Sequence, residues 1–140
     1  MSGLAAVLAG HTSSGIYRWH GAFDAREVRH TVEHAGWRFA HVDGWRVETK
    51  QEFLEYVGAA LDFPEYYGQN FDALADCLQD IGDDTVLLWD GWGPFARADP
   101  RAFSVSLSVL GTRVHAERGS CFTVVLRGDG PDVPGVLNLD

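Results

Sequence analysis

From Gln51 to Ala96 the chain has no lysine and no arginine; all eleven of its basic residues lie elsewhere. The same stretch holds ten carboxylates: Glu52, Glu55, Asp62, Glu65, Asp72, Asp76, Asp80, Asp83, Asp84 and Asp90. Like charges side by side cost energy, so a fold has no use for a long surface of one sign. A docking partner of the opposite sign gives such a surface a purpose. The plainer reading is solubility, since a net charge of −9 keeps a small protein from associating with its copies. Scarcity of bases and a pI of about 4.9 exclude a nucleic-acid-binding or anionic-membrane surface, both of which need basic patches.

Other shortages narrow the class further. No apolar run reaches the length of a membrane span. The short run Leu4-Ala5-Ala6-Val7-Leu8-Ala9 has no basic segment before it, so it does not read as a secretion signal. Residues 1–14 are therefore expected to form a loose leader on a cytoplasmic protein. Cys77 and Cys121 are the only cysteines. Both read as buried free thiols of a reducing compartment, with a single disulfide as the alternative. No Gly-rich phosphate loop, internal repeat or twelve-residue calcium loop is present. What is present is a globular composition, 46% hydrophobic with five tryptophans, eight phenylalanines and four tyrosines, and 140 residues are enough for one domain with a core.

Strand and helix signals alternate. Ile16 to Trp19 reads as a short strand, and Asp24 caps a helix running to about Ala35, where Gly36 stops it. Trp37 to Val42 alternates as a strand. Thr49 and Glu52 have the spacing of a capping box for a helix over Lys50 to Ala60, and Pro64 blocks its continuation. A third helix spans Asn70 to Ile81. Thr85 to Trp89 is the near-continuous apolar run of a strand buried on both faces, and Gly91 to Pro94 reads as loop. Asp99 and Pro100 open a last helix with Phe103, Leu107, Leu110 and Val114 on one side, and Phe122 to Leu126 is the final strand. Residues 128–140 read as a flexible tail. The pattern predicts an α/β fold: a small, mostly parallel β-sheet packed with helices, a single domain over 15–127.

On a helical wheel the third helix divides cleanly. Phe71, Leu74, Cys77, Leu78 and Ile81 fall on one side; Asp72, Asp76, Gln79 and Asp80 fall on the other. Asp72–Asp76 and Asp76–Asp80 are like-charge i,i+4 pairs, each costing the helix roughly 0.2–0.5 kcal/mol. Asp72 regains some of this near the helix N-terminus, but Asp76 and Asp80 stand too far along. A stripe that opposes its own helix is the mark of a site rather than a scaffold. Tyr66 and Tyr67 precede it beside Gly68, with Tyr67 expected to pack inward. Acids beside aromatics on a rigid helix imitate an RNA strand: carboxylates at phosphate spacing and rings where bases would stack.

The run Phe63-Pro64-Glu65-Tyr66-Tyr67-Gly68-Gln69-Asn70-Phe71-Asp72-Ala73-Leu74-Ala75-Asp76-Cys77-Leu78 resembles the signature of the barstar family of intracellular ribonuclease inhibitors. The resemblance covers about residues 38–127, leaving an added N-terminal strand and helix. It implies a non-catalytic, cofactor-free inhibitor that plugs the active site of a secreted, guanyl-type, barnase-like ribonuclease in a 1:1 complex. Such an inhibitor touches neither nucleic acid nor membrane and is monomeric when free. By this resemblance Asp76 takes the phosphate pocket, Asp72 pairs with bases at its rim, and Tyr66 packs on the enzyme's catalytic histidine. Gly68 and Asn70 contribute loop contacts. Gln79 and Asp80, from the wheel, complete the candidate face. The chain departs from the family at Ala75 and Ile81, where barstar has tryptophans, and at Val114 and Arg118, where it has glutamates. These changes put the target's identity in question more than the mode of binding, so an adaptor for a basic protein that is not a nuclease is the alternative.

Other constellations are weaker. His30-Thr31-Val32-Glu33-His34 matches the H-x-x-E-H zinc-hydrolase motif. The wheel, however, buries Val28, Val32 and Ala35 and puts His30, Glu33 and His34 on the wet side, with no third ligand in view. No metal is therefore expected. Ser104, Ser106 and Ser108 lack a matched His/Asp motif. Trp89, Trp92 and Phe95 read as core.

Overall fold

The computed structural model describes residues 2–116 and 119–139. Its centre is a wholly parallel sheet of β1 (Ile16–Trp19), β2 (Arg38–Asp43), β3 (Thr85–Asp90), β4 (Phe122–Arg127) and β5 (Leu137–Asn138), in the order β2-β3-β4-β1-β5. Helices α1 (Ser2–Leu8), α2 (Ala25–His34), α3 (Lys50–Ala60), α4 (Phe71–Gln79), α5 (Gly93–Ala98) and α6 (Pro100–Val114) cover it. The α/β class read from the sequence is thus the observed one.

Strand alternation builds two cores. Ala40, Val42, Leu87, Trp89, Val124 and Leu126 point to one face, where α3 to α6 pack. Phe39, Val86, Leu88, Val125, Tyr17 and Trp19 point to the other, beneath α1 and α2. The division follows from handedness. The crossover from β1 to β2 travels across the sheet in the opposite sense to those from β2 to β3 and β3 to β4. Right-handed connections therefore send α2 to the opposite face from α3–α6. β3 is an interior strand, paired on both sides and buried along its whole length, as its apolar run requires.

Several expectations need correction. Residues 1–14 are not a loose leader: Ser2–Leu8 is a helix, with Leu4 and Val7 at i,i+3 buried on the second sheet face. The apolar run read as too short to span a bilayer is the stripe of a docked helix. The tail is anchored too. β5 pairs with β1, the Leu139 amide donates to the Arg18 carbonyl at 2.7 Å, and the Leu139 side chain is buried beside α1. Gly91 to Pro94 is only partly loop, because α5 begins at Gly93 with Pro94 in its first turn, where no amide is needed. Cys121 is exposed just before β4, whereas Cys77 is buried, and both thiols are free. Ala35 is exposed as the C-cap residue of α2 rather than part of its buried stripe.

Candidate functional site: the acidic helix and its loop

Helix α4 begins where Asn70, in extended conformation, accepts the Ala73 amide on its side-chain oxygen at 2.8 Å. Its inner face is Leu74, Cys77 and Leu78, with Ile81 just beyond its end. Asp72, Asp76, Gln79 and Asp80 are exposed on the outer face, as the wheel predicts. Among the described residues the ion pairs are Arg29–Glu33, His41–Asp90 and Arg127–Asp90, so none neutralises the stripe. The field of the stripe is felt within the helix. Burial pushes the Cys77 thiol above its ordinary pKa, and the neighbouring Asp80 and Asp76 carboxylates push it further.

The loop ahead of α4 is fixed from beneath. Tyr67 turns inward: its hydroxyl donates to the Leu54 carbonyl at 3.1 Å, and its ring meets Phe63 edge-on at 5.0 Å. Burial drives its phenol well above the ordinary range. Gly58 on α3 makes the room, since a Cβ there would lie 2.6 Å from the Tyr67 ring. With Tyr67 as the anchor, Tyr66 points outward at 80% exposure. Gln69 holds the left-handed φ of 49°, a strained value for a residue with a side chain. The Gln51 amide steadies it, donating to the Gln69 side chain at 2.6 Å. Gly68 and Asn70, both exposed, flank it, and the Asn70 amide reaches the Gly68 carbonyl at 3.4 Å. The α3 start that supports this loop carries the expected capping box between Thr49 and Glu52.

The far end of α4 is held by a residue that sequence reasoning missed. Arg113, on α6 and 5% exposed, donates from Nε to the Leu78 carbonyl at 2.9 Å, from Nη1 to the Ser120 carbonyl at 2.9 Å and from Nη2 to the Ile81 carbonyl at 3.2 Å. Nη2 also donates to Ser120 Oγ at 2.6 Å, and that hydroxyl donates in turn to the Ile81 carbonyl at 3.0 Å. A buried guanidinium thus takes the carbonyls left open where α4 ends, at the negative pole of the helix. One signal was available in sequence: Arg113 falls next to Val114 on the side of the last helix that carries the core.

Two of the departures from the family pattern lie in the core. Ile81 is 8% exposed and Val114 6%, so neither forms part of an exposed rim. Ala75 is partly exposed on the flank of α4. Arg118 lies outside the described residues.

The other constellations do not assemble into sites. His30 and His34 stack at 6.0 Å on the exposed side of α2, and Glu33 pairs with Arg29 at 3.5 Å. Among the described residues no three His, Cys, Asp or Glu side chains gather as a metal cluster would require. Asp84 ties the segment before β3 to the one before β4, accepting the Cys121 amide at 2.8 Å. Ser106 is buried and donates to the Ala102 carbonyl at 2.8 Å, within its own helix. Trp89, Trp92 and Phe95 are fully buried core. Among the described residues no helix is long and apolar enough to cross a membrane.

At the carboxyl ends of the strands, where open α/β sheets commonly hold ligands, the chain closes the crevice itself. Asp90 accepts from Arg127 Nε at 2.6 Å and Nη2 at 3.0 Å, and from His41 Nε2 at 2.8 Å. Arg127 also donates to the Gly21 and Phe23 carbonyls, tying the segment after β1 to the sheet. Burial alone would raise the Asp90 pKa, but the His41 and Arg127 hydrogen bonds outweigh it, and the net shift is downward. Asp90 accepts three hydrogen bonds and Arg127 donates four within the chain, so the network fastens the fold.

The structure is a two-faced parallel α/β sheet that presents an exposed acid helix without an ion-pair partner among the described residues, its loop anchored by the half-buried Tyr67. The model of the family "Barstar (barnase inhibitor)" matches residues 37–127, and the chain belongs to that family of barnase-type ribonuclease inhibitors. A comparison with curated proteins finds no match. The matched span begins just after α2 and ends with β4, so α1, β1, α2 and β5 are additions to it. They cover the second sheet face and extend its edge.

Proposed function

We propose that this chain is a non-catalytic inhibitor of a guanyl-type ribonuclease. It acts in the cytoplasm by seating α4 and the preceding loop in the enzyme's active site in a 1:1 complex. The observation that carries the reading is the exposed Asp72/Asp76 stripe, which no cation among the described residues neutralises. A cleft built to hold RNA phosphates offers the missing positive charge, and carboxylates on a rigid helix meet it without reorganisation. Asp76, at the centre of the stripe, enters the phosphate pocket. Asp72 pairs at its edge, and Tyr66 stacks on the enzyme's imidazole. Gly68 and Asn70 offer backbone contacts, while Gln79 and Asp80 extend the face. The mechanism is occlusion with phosphate mimicry and needs neither cofactor nor metal.

Titrating the purified protein into RNA-cleavage assays of several guanyl-type ribonucleases tests the reading. Stoichiometric loss of activity with at least one enzyme is expected. Undiminished cleavage across the set at molar excess would turn the acid face over to a basic protein that is not a nuclease. Within a productive pair, Asp76→Ala should weaken the complex as an interface hot spot does, by ~2 kcal/mol or more. Glu52→Ala, in the α3 cap, should change it little.

A further inference from the structure

On the sheet face turned away from α4, helix α2 carries two histidines that take no part in the acid face. His30 and His34 are exposed and stand at i,i+4, with ring centroids 6.0 Å apart and planes 20° from parallel. Two imidazoles that share one metal ion at about 2.0–2.1 Å have ring centres roughly 5 Å apart. A small side-chain rotation therefore closes the pair on an ion, with no change in the helix backbone. Catalytic zinc asks for three protein ligands, and no three gather among the described residues. A chelate on one turn of helix asks for two.

The neighbouring side chains leave the pair free. Glu33 pairs with Arg29 at 3.5 Å, and the Arg29 guanidinium lies 4.9 Å over the Phe39 ring, so both stay on the flank nearer the sheet. Arg26, one turn before His30, opposes a cation; the exposed Glu27 carboxylate, three residues before His30, offsets it. Imidazole nitrogen selects borderline transition-metal ions such as Zn2+ and Ni2+ over Mg2+ and Ca2+, which demand oxygen. We propose that His30 and His34 form an exchangeable two-ligand site for such an ion, with water in the remaining positions. Its effect falls on the helix. α2 is ten residues long, buries only Val28 and Val32, and ends at His34. An ion bridging its last turn holds that half helical, and a ligand that binds only the folded chain stabilises it by mass action. α2 lies outside the family-matched span and away from the acid helix, so the site acts independently of ribonuclease binding.

Titrating Ni2+ and Zn2+ into the untagged chain tests the site, with Cys121→Ser as the background so that the exposed thiol does not compete. Calorimetry is expected to give one ion per chain, and NMR to place Ni2+ broadening and Zn2+ shifts at residues 27–34. Mg2+ should produce neither. His30→Ala and His34→Ala should each weaken binding at least tenfold, whereas His20→Ala should bind like the parent. Zn2+ should also slow hydrogen exchange in α2 at least threefold and leave α4 unchanged. Perturbations centred on His11, His20 or His115, unchanged affinity in either α2 variant, or no binding at millimolar ion would overturn the site. Binding at His30 and His34 without slower exchange in α2 would overturn its stabilising effect.

Discussion

Replacing Arg113 with methionine isolates how the acidic helix is held. The substitution keeps much of the side-chain volume and removes four hydrogen bonds, to the carbonyls of Leu78, Ile81 and Ser120 and to the Ser120 hydroxyl. Two of the carbonyls keep another donor: Ile81 the Ser120 hydroxyl at 3.0 Å and Leu78 the Ile81 amide at 3.3 Å. Stranding the remaining carbonyl costs about 1–3 kcal/mol, and the charge-assisted bonds contribute further, less the desolvation that the buried cation no longer suffers. A net loss of about 3 kcal/mol results. For a domain of this size that lowers the melting temperature by roughly 10 °C. Urea unfolding reads the loss directly, and hydrogen exchange shows where it falls: amides of α4 should lose more protection than those of α2 on the other sheet face. Arg113→Lys should recover little, because one ammonium cannot reach three carbonyls in a fork. A change under 1 kcal/mol, or full recovery by lysine, would refute the reasoning.

Other predictions concern the two faces and the fastening network. Leu4→Ala should cost about 2–3 kcal/mol in urea unfolding, since Leu4 is fully buried; a leader that does not dock would show no change. Gly58→Ala drives a methyl group into the Tyr67 ring. It should weaken ribonuclease binding although alanine favours helix, and tighter binding would argue against the bracing role of Tyr67. Asp90 titrates below its ordinary value in the folded chain. The stability it contributes is therefore complete above the unfolded aspartate value near ~3.9 and is lost as pH falls through the lower folded value. Urea midpoints measured from pH 7 to pH 3 should accordingly fall more steeply for the parent than for Asp90→Asn. Iodoacetamide should label exposed Cys121 readily and spare buried Cys77 until unfolding.

The alternation of strand and helix, the Thr49–Glu52 capping box and the division of α4 into an inner and an outer face were legible because each depends on residues close in sequence. Tyr67 could be assigned inward for the same reason, with one apolar side to satisfy. Strand order was not legible, since it depends on which edges meet across a hundred residues. Nor was the docking of α1: Leu4 and Val7 have the spacing of a helical stripe, but what that stripe covers is a sheet face formed by β1 to β4. Arg113 was missed because arginine normally marks surface, and its partners are carbonyls, which carry no sequence signature. Cys121 was misplaced by one position: burial begins at Phe122, and the residue before it still faces water. The acid face and its Tyr67 brace could be read in advance, but the Arg113 brace could not.

Gly3 and Leu139 touch, and both lie on the sheet face turned away from α4. A sensor chip, a bead or a fluorescent reporter attached beside Gly3 or Leu139 would therefore leave from the back of the molecule, with the acid helix still facing solution, and a short linker could staple these two positions together.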